Sequence, residues 1–83
     1  MKELNNMEDK ILAIIRKFKE DDTIQIDSDL LHLGILDSLS IMELLFMLEE
    51  EFMIEVDGED IIPENFETVG KIAEVLVKNG AQD

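Results

Sequence analysis

The stretch that decides the fold runs from Leu33 to Leu45 and reads LGILDSLSIMELL. Its first half contains Gly34, whereas its second half opens a segment that has no Gly or Pro and is rich in good helix formers. We therefore predict that a loop ends here and that a helix runs from Ser38 to Phe52.

The residues at this junction, Asp37 and Ser38, have two candidate roles. Both are favoured N-cap types, and Ser40 and Glu43 have the spacing of a capping box, so capping is the simplest structural explanation. A helix N-terminus also presents unpaired backbone N–H groups and a partial positive charge, which suit a phosphate ester on a serine that an enzyme can reach. The residues alone leave both roles open.

The predicted helix has two apolar faces. With a turn of about 100° per residue, the larger face is a natural core face and comprises Ile41, Leu44, Leu45, Leu48 and Phe52. On nearly the opposite side lie Leu39, Met42 and Phe46, beside the acidic residues Glu43, Glu49 and Glu50. A soluble monomer has little reason to expose Met and Phe together, so we interpret the smaller face as a partner-docking surface. The alternative is a helix that is buried on both sides.

Helices are also predicted on both sides of this segment. Apolar spacings of three and four predict a first helix from about Glu3 to Phe18, with the stripe Leu4, Met7, Ile11, Ile14, Ile15 and Phe18. Thr68 can cap a last helix that stops at Asn79-Gly80 and has the stripe Val69, Ile72, Ala73 and Leu76. Between the second and last helices, Pro63 suits the first position of a short helix.

The segment from Lys19 to Leu36 keeps no sustained period and is predicted to be a long loop. Its aliphatic residues should pin it to the core, namely Ile24, Ile26, Leu30, Leu31 and Leu33. A loop of this length in a compact domain is typically functional. No alternating strand pattern competes, so the fold class that we expect is all-α: a small four-helix bundle with three main helices, one short helix and a long first loop.

Length and charge narrow the function classes. Eighty-three residues allow one domain, and we take residues 1–83 as that single domain. The net charge is −14, and no Lys or Arg interrupts the sixteen acidic residues between Glu20 and Gly70. This field repels nucleic acid and anionic membranes and attracts basic protein surfaces. With no cysteine, secretory signal or bilayer-length apolar run, we expect a cytoplasmic monomer without membrane insertion.

Catalytic and metal chemistry have little support in the sequence. A chain this short does not easily enclose a pocket with convergent polar groups, so we do not expect an enzyme. A calcium-binding EF-hand loop starting at Asp27 would need Gly where His32 stands and Glu where Ser38 stands. A loop starting at Asp57 would need an oxygen ligand at its fifth position, where Ile61 stands. We therefore expect no specific metal site.

Several segments together resemble the acyl and peptidyl carrier protein family. They are Leu33 to Leu39, Glu43-Leu44-Leu45, Leu48 to Phe52 and Ile54-Glu55-Val56. The Asp-Ser-Leu signature alone is weak, but here it stands at a predicted helix start in a chain of matching size. The likeness extends from Leu4 to Lys78.

The resemblance implies a carrier whose Ser38 hydroxyl receives a covalent 4'-phosphopantetheine arm from coenzyme A through a phosphopantetheinyl transferase. The arm would hold acyl intermediates as thioesters and deliver them to partner enzymes. By the same likeness Asp37 lies at the transferase recognition site and Leu39 completes the attachment segment. The partner-docking residues implied are Leu39, Met42, Glu43, Phe46 and Glu49. The implied partners are the transferase, a loading ligase, and downstream synthases or transferases with basic docking surfaces.

Narrower carrier functions also fit. Ile35 and Leu36 stand between Gly34 and Asp37, where many carriers of fatty acid synthesis place one residue, and Ser40 stands where those carriers place an acid. This form looks more like free-standing aminoacyl carriers, including those for D-alanine, and like peptidyl or specialised carriers.

An unmodified acidic helical adaptor is the other function class that fits the residues. It would use Leu39, Met42 and Phe46 to bind a basic groove. The two classes differ at Ser38, which is essential in a carrier and only a cap in an adaptor.

Overall fold

Helices and short turns make up all the regular structure of the described chain. The computed structural model describes residues 7–82, in which three α-helices span Met7–Lys19 (α1), Ser38–Phe52 (α2) and Val69–Lys78 (α3). Two 3-10 turns, Gly58–Asp60 and Pro63–Phe66, lie between α2 and α3. Residues 7–82 contain no strand and no helix that is long and apolar enough to cross a membrane. The predicted all-α class is confirmed, with the predicted short helix present as two 3-10 turns.

One face of α1 packs into the core, as its apolar spacing predicted. The buried or partly buried apolar side chains are Met7, Ile11, Leu12, Ile14, Ile15 and Phe18. The helix ends at Lys19, one residue beyond the predicted end, and Glu20 turns the chain with a φ of +54°. The predicted start at Glu3 and the predicted core residue Leu4 lie outside the described residues.

The second helix, α2, occupies the predicted range, and its larger apolar face forms the middle of the core. Ile41, Leu44, Leu45 and Leu48 are buried, and Phe52 is partly buried. The helix ends where Met53 adopts a left-handed conformation with a φ of +58° and donates its N–H to the carbonyl oxygen of Glu49. One side of α2 is therefore held by the core, which leaves its other side to solvent.

Fewer aliphatic residues pin the long loop after α1 than we predicted. Ile24 and Leu30 are buried and Leu31 is partly buried. Ile26 and Leu33 are 39% and 62% exposed, so the prediction that they pin the loop was wrong. Each lies in a tight turn closed by a backbone hydrogen bond, and these turns rotate the two side chains toward solvent.

The last helix, α3, begins and ends at the predicted signals. The Thr68 hydroxyl accepts a hydrogen bond from the N–H of Lys71 at 3.2 Å, and Gly80 leaves the helix with a φ of +106°. Pro63 opens the second 3-10 turn, and Phe66, which closes this turn, is the largest fully buried side chain in the described chain. The buried residues of α3 are Val69, Ile72, Ala73, Val75 and Leu76.

The excess of acidic residues predicts that stability depends on salt. Lys71 pairs with Glu67 at 3.9 Å and Lys78 pairs with Asp60 at 2.8 Å, but seven basic residues cannot neutralise twenty-one acidic ones. Raising NaCl from about 20 mM to about 500 mM shortens the screening length from roughly 20 Å to roughly 4 Å. We expect the Tm measured by circular dichroism to rise by about 5 °C. A Tm that ignores ionic strength would contradict this account of self-repulsion.

Candidate functional site

Ser38 is the first residue of α2 and has an accessible hydroxyl. The residue is exposed, and within residues 7–82 no hydrogen bond holds its side chain. Ser40, two residues later, is 8% exposed, and its Oγ accepts a hydrogen bond from the backbone at the helix start. Of these two serines, Ser38 is therefore the one that an enzyme could reach.

Asp37 and Ser40 hold the start of α2 through a reciprocal capping box. Asp37 Oδ1 accepts a hydrogen bond from the N–H of Ser40 at 2.9 Å, and the N–H of Asp37 donates to Ser40 Oγ at 2.8 Å. Of the two predicted cap candidates, Asp37 is the N-cap and Ser38 is not, and the predicted box between Ser40 and Glu43 was wrong. Because Asp37 takes the extended backbone of an N-cap, Ser40 falls at the third helical position, and the Ser38 side chain remains free of a capping role.

The same contacts influence the ionisation of Asp37. Hydrogen bonds from the backbone N–H and from the hydroxyl of Ser40 lower the pKa of Asp37, and the charge of Lys19 lowers it further. Asp37 is exposed, and its carboxyl is ionised at neutral pH because its pKa lies below the usual acidic value. The residue therefore places a negative charge directly beside Ser38.

Backbone hydrogen bonds tie the loop before α2 to the segment that precedes α3. Leu36 is buried and donates its N–H to the carbonyl oxygen of Leu30 at 2.9 Å. Leu30 in turn donates its N–H to the carbonyl oxygen of Glu67 at 2.7 Å, two residues before α3 begins. Gly34 has a φ of +75°, where a side chain would be strained. The loop that leads to Ser38 is thus held by the buried Leu36 and by hydrogen bonds that reach the start of α3.

A shallow groove of about 250 Å³ lies beside Ser38. Ile41 and Met42 of α2 form one wall, and the opposite wall is the segment 61–63, which runs from the end of the first 3-10 turn to the first residue of the second. Ile61 and Ile62 were not among the site residues predicted from the sequence. The sequence did contain a signal for these residues, namely two adjacent isoleucines in an acid-rich segment. Such apolar residues either enter the core or line a surface that binds a ligand or a partner.

The predicted docking face of α2 is open to solvent. Leu39 is 69% exposed, Phe46 is 63% exposed and Met42 is 37% exposed. Glu43 is exposed in the same helix. This exposure rules out the alternative in which α2 is buried on both sides.

Glu49, the remaining residue of the predicted docking set, makes a contact within the fold. It is half-buried, and its Oε2 accepts a hydrogen bond from the N–H of Val56 at 2.9 Å. Its carbonyl oxygen accepts hydrogen bonds from the N–H groups of Met53 and Ile54. These bonds turn the chain back at the end of α2, so the carboxylate of Glu49 is already engaged within the fold.

The surroundings of Ser38 fit a phosphate ester that carries a flexible chain. The hydroxyl stands in the first turn of α2, where the partial positive charge of the helix favours a phosphodiester. The adjoining groove offers apolar surface to an extended chain. Within the part of the chain that the structure describes, no cluster of three or more histidine or acidic side chains could hold a metal ion.

Comparison with known proteins gives consistent results. Residues 9–76 match a family model described as a phosphopantetheine attachment site. A D-alanyl carrier protein of Streptococcus suis (strain 98HAH33) is 38% identical over 74 residues, which cover 88% of this chain and 94% of the relative. A D-alanyl carrier protein of Streptococcus uberis is 42% identical over 69 residues, which cover 82% and 87%. One of Streptococcus pyogenes serotype M1 is 34% identical over 70 residues, which cover 83% and 89%.

Substitutions of Asp37 can separate its cap from its charge. Asp37→Ala removes both the acceptor for Ser40 and the carboxylate, whereas Asp37→Asn keeps a good N-cap side chain. In thermal melts at pH 7, we expect the Tm of Asp37→Ala to fall by about 4–8 °C. The Tm of Asp37→Asn should fall by much less.

The effect of Asp37→Ala should also depend on pH. Because the folded pKa of Asp37 is lower than its unfolded value of about 3.9, protonation favours the unfolded chain. The stabilisation is therefore complete above about pH 5 and is lost as the pH falls through the folded pKa. The Tm difference between wild type and Asp37→Ala should shrink in that range. A constant difference would show that the carboxylate does not supply the stabilisation.

Proposed function

This chain belongs to the family of carrier proteins that have a phosphopantetheine attachment site, and on that premise we propose that it is an aminoacyl carrier for D-alanine. Attachment of the arm rests chiefly on the exposed Ser38 hydroxyl, which no hydrogen bond within residues 7–82 engages, and the choice of D-alanine rests on the relatives. Members of this family are not enzymes themselves; they carry a covalent 4'-phosphopantetheine group and work with transferases and ligases.

Each residue around Ser38 has its own role in the attachment of the phosphopantetheine group. Ser38 Oγ provides the oxygen of the phosphodiester, and the first turn of α2 stabilises the phosphate charge. Asp37 presents a carboxylate to the transferase, and the buried Ser40 keeps the helix start rigid. When bound, the group supplies a thiol that holds the cargo as a thioester.

The relatives support a small aminoacyl cargo over a long acyl chain. Those with 34% to 42% identity are named D-alanyl carrier proteins. An alanyl group is small and polar and needs no enclosed apolar cavity. We therefore favour the aminoacyl carrier over the general acyl carrier.

The exposed face of α2 is the proposed docking surface for partner enzymes. Leu39, Met42 and Phe46 would fill apolar pockets on the partner, and Glu43 would pair with a basic residue. The net charge of −14 would speed the encounter with a basic surface. Because the carboxylate of Glu49 is hydrogen-bonded to the N–H of Val56, we assign Glu49 a smaller role in partner docking.

Intact-protein mass spectrometry tests the attachment. The purified chain is incubated with coenzyme A, magnesium and a broad-specificity phosphopantetheinyl transferase, alongside the Ser38→Ala and Ser40→Ala variants. We expect one phosphopantetheinyl group on wild type and on Ser40→Ala, and none on Ser38→Ala. Absence of the group from folded wild type would favour the adaptor.

The cargo is tested on the modified protein. A D-alanine-activating ligase with ATP and D-alanine should load it, and L-alanine should load far more slowly. An acyl-activating enzyme with a medium-chain fatty acid provides the comparison. If the fatty acid loads efficiently and D-alanine does not load, the proposal of an aminoacyl carrier is wrong and a general acyl carrier is favoured.

Alanine substitutions test the docking surface. Leu39→Ala and Phe46→Ala should raise the KM of the ligase for the carrier by about 5- to 30-fold and leave kcat nearly unchanged. Val77→Ala is the matched control, because Val77 is 53% exposed but lies on α3. An equal rise in KM for the control would rule out a specific role for the exposed face of α2.

A further inference from the structure

Asp60 is a buried acidic residue near the groove beside Ser38. Within residues 7–82, Ser40 and Asp60 are the two buried polar residues. Ser40 lies in the first turn of α2, the helix that provides one wall of the groove. Asp60 directly precedes Ile61, which begins the opposite wall. Each of the two buried polar residues is therefore close in the chain to one wall of the groove.

The carboxylate of Asp60 binds the end of α3. Its Oδ1 accepts a hydrogen bond from Lys78 Nζ at 2.8 Å, and its Oδ2 accepts one from Asn79 Nδ2 at 3.1 Å. Its carbonyl oxygen accepts a hydrogen bond from Asn65 Nδ2 at 2.8 Å, in the second 3-10 turn. Asn79 also contacts the first 3-10 turn, because its Oδ1 accepts a hydrogen bond from the N–H of Asp57 at 2.9 Å.

The ion pair itself adds little to stability. The side chain of Lys78 is 69% exposed, so solvent screens its charge. Hydrogen bonds from Lys78 and Asn79 lower the pKa of Asp60, so its carboxylate stays ionised in the folded chain. These contacts fix the position of Asp60, because hydrogen bonds from the end of α3 and from the second 3-10 turn converge on this one residue.

We propose that Asp60, Lys78 and Asn79 form a positioning clamp that holds the wall formed by residues 61–63, so that an arm on Ser38 lies along the groove and leaves it in a defined direction. The inference rests on the proposed function, because it presupposes an arm on Ser38. Asp60, Lys78 and Asn79 are positioning residues, since they act on the arm through the wall.

The other restraints on the wall are the packing of Ile61 against the core, the buried Phe66 in the turn that Pro63 opens, and two backbone hydrogen bonds. Backbone hydrogen bonds from Ile61 to the carbonyl oxygen of Gly58 at 3.2 Å and from Asn65 to that of Ile62 at 3.0 Å close short turns at its ends. Ile62 is 43% exposed, and the segment between the turns belongs to no helix. Loss of the clamp should therefore loosen the wall first and leave α2 in place.

The first test measures amide hydrogen exchange in the unmodified protein. Asp60→Asn removes the charge at nearly constant size, and Glu59→Gln is the matched control that removes a neighbouring exposed charge outside the clamp. We expect exchange at the N–H groups of Ile61 and Asn65 to rise about tenfold in Asp60→Asn. Ile41 in α2 should be unchanged, and Glu59→Gln should match wild type.

The second test measures the arm itself. A nitroxide-labelled coenzyme A analogue places a spin-labelled arm on Ser38, and electron paramagnetic resonance reports its mobility at a temperature where every variant is fully folded. We expect the arm to be more mobile in Asp60→Asn and in Lys78→Met. In Lys78→Arg, which keeps the cation, the mobility should return toward wild type.

The outcomes separate the inference from the proposed function. If wild type accepts no arm, the carrier proposal and this inference both fail. If wild type accepts the arm but its mobility is the same in Asp60→Asn, the clamp does not position the arm and only the inference is overturned. Faster exchange throughout α2 would also overturn it, because Asp60 would then support the whole fold and not the wall.

Discussion

The reciprocal hydrogen bonds between Asp37 and Ser40 are the constraint on which the candidate site depends. Because the aspartate supplies the cap, Ser38 is relieved of that role and its hydroxyl stays exposed. Because the second serine completes the box, it is buried and engaged. These bonds also fix where α2 begins and therefore place Ser38 at its first position.

Acidic residues serve two opposed purposes in this chain. Most are exposed and produce the field that favours a basic partner, at the cost of mutual repulsion. Asp37, Glu49 and Asp60 instead accept hydrogen bonds that hold a helix start, a helix end and a turn. The same composition therefore supplies both the attraction for partners and several of the contacts that define the site.

The sequence predicted those features that depend on local periodicity. The range of α2 and its two apolar faces follow from residues close together in the chain, and both were confirmed. The Ser40–Glu43 box was wrong because spacing alone does not tell which residue takes the extended backbone of the N-cap. The loop residues Ile26 and Leu33 were misplaced because irregular backbone has no period to follow. The pairing of Asp60 with Lys78 spans 18 residues and depends on how α3 packs, which no local pattern encodes.

The contact between Asp60 and the end of α3 has a consequence for the order in which the groove can form. Ser38 and α2 are synthesised before Lys78 and Asn79, since chains grow from the N-terminus. A nascent chain that ends before α3 has the serine but lacks the residues that hold the opposite wall. The complete groove therefore exists only on a chain whose last helix has been made and has docked.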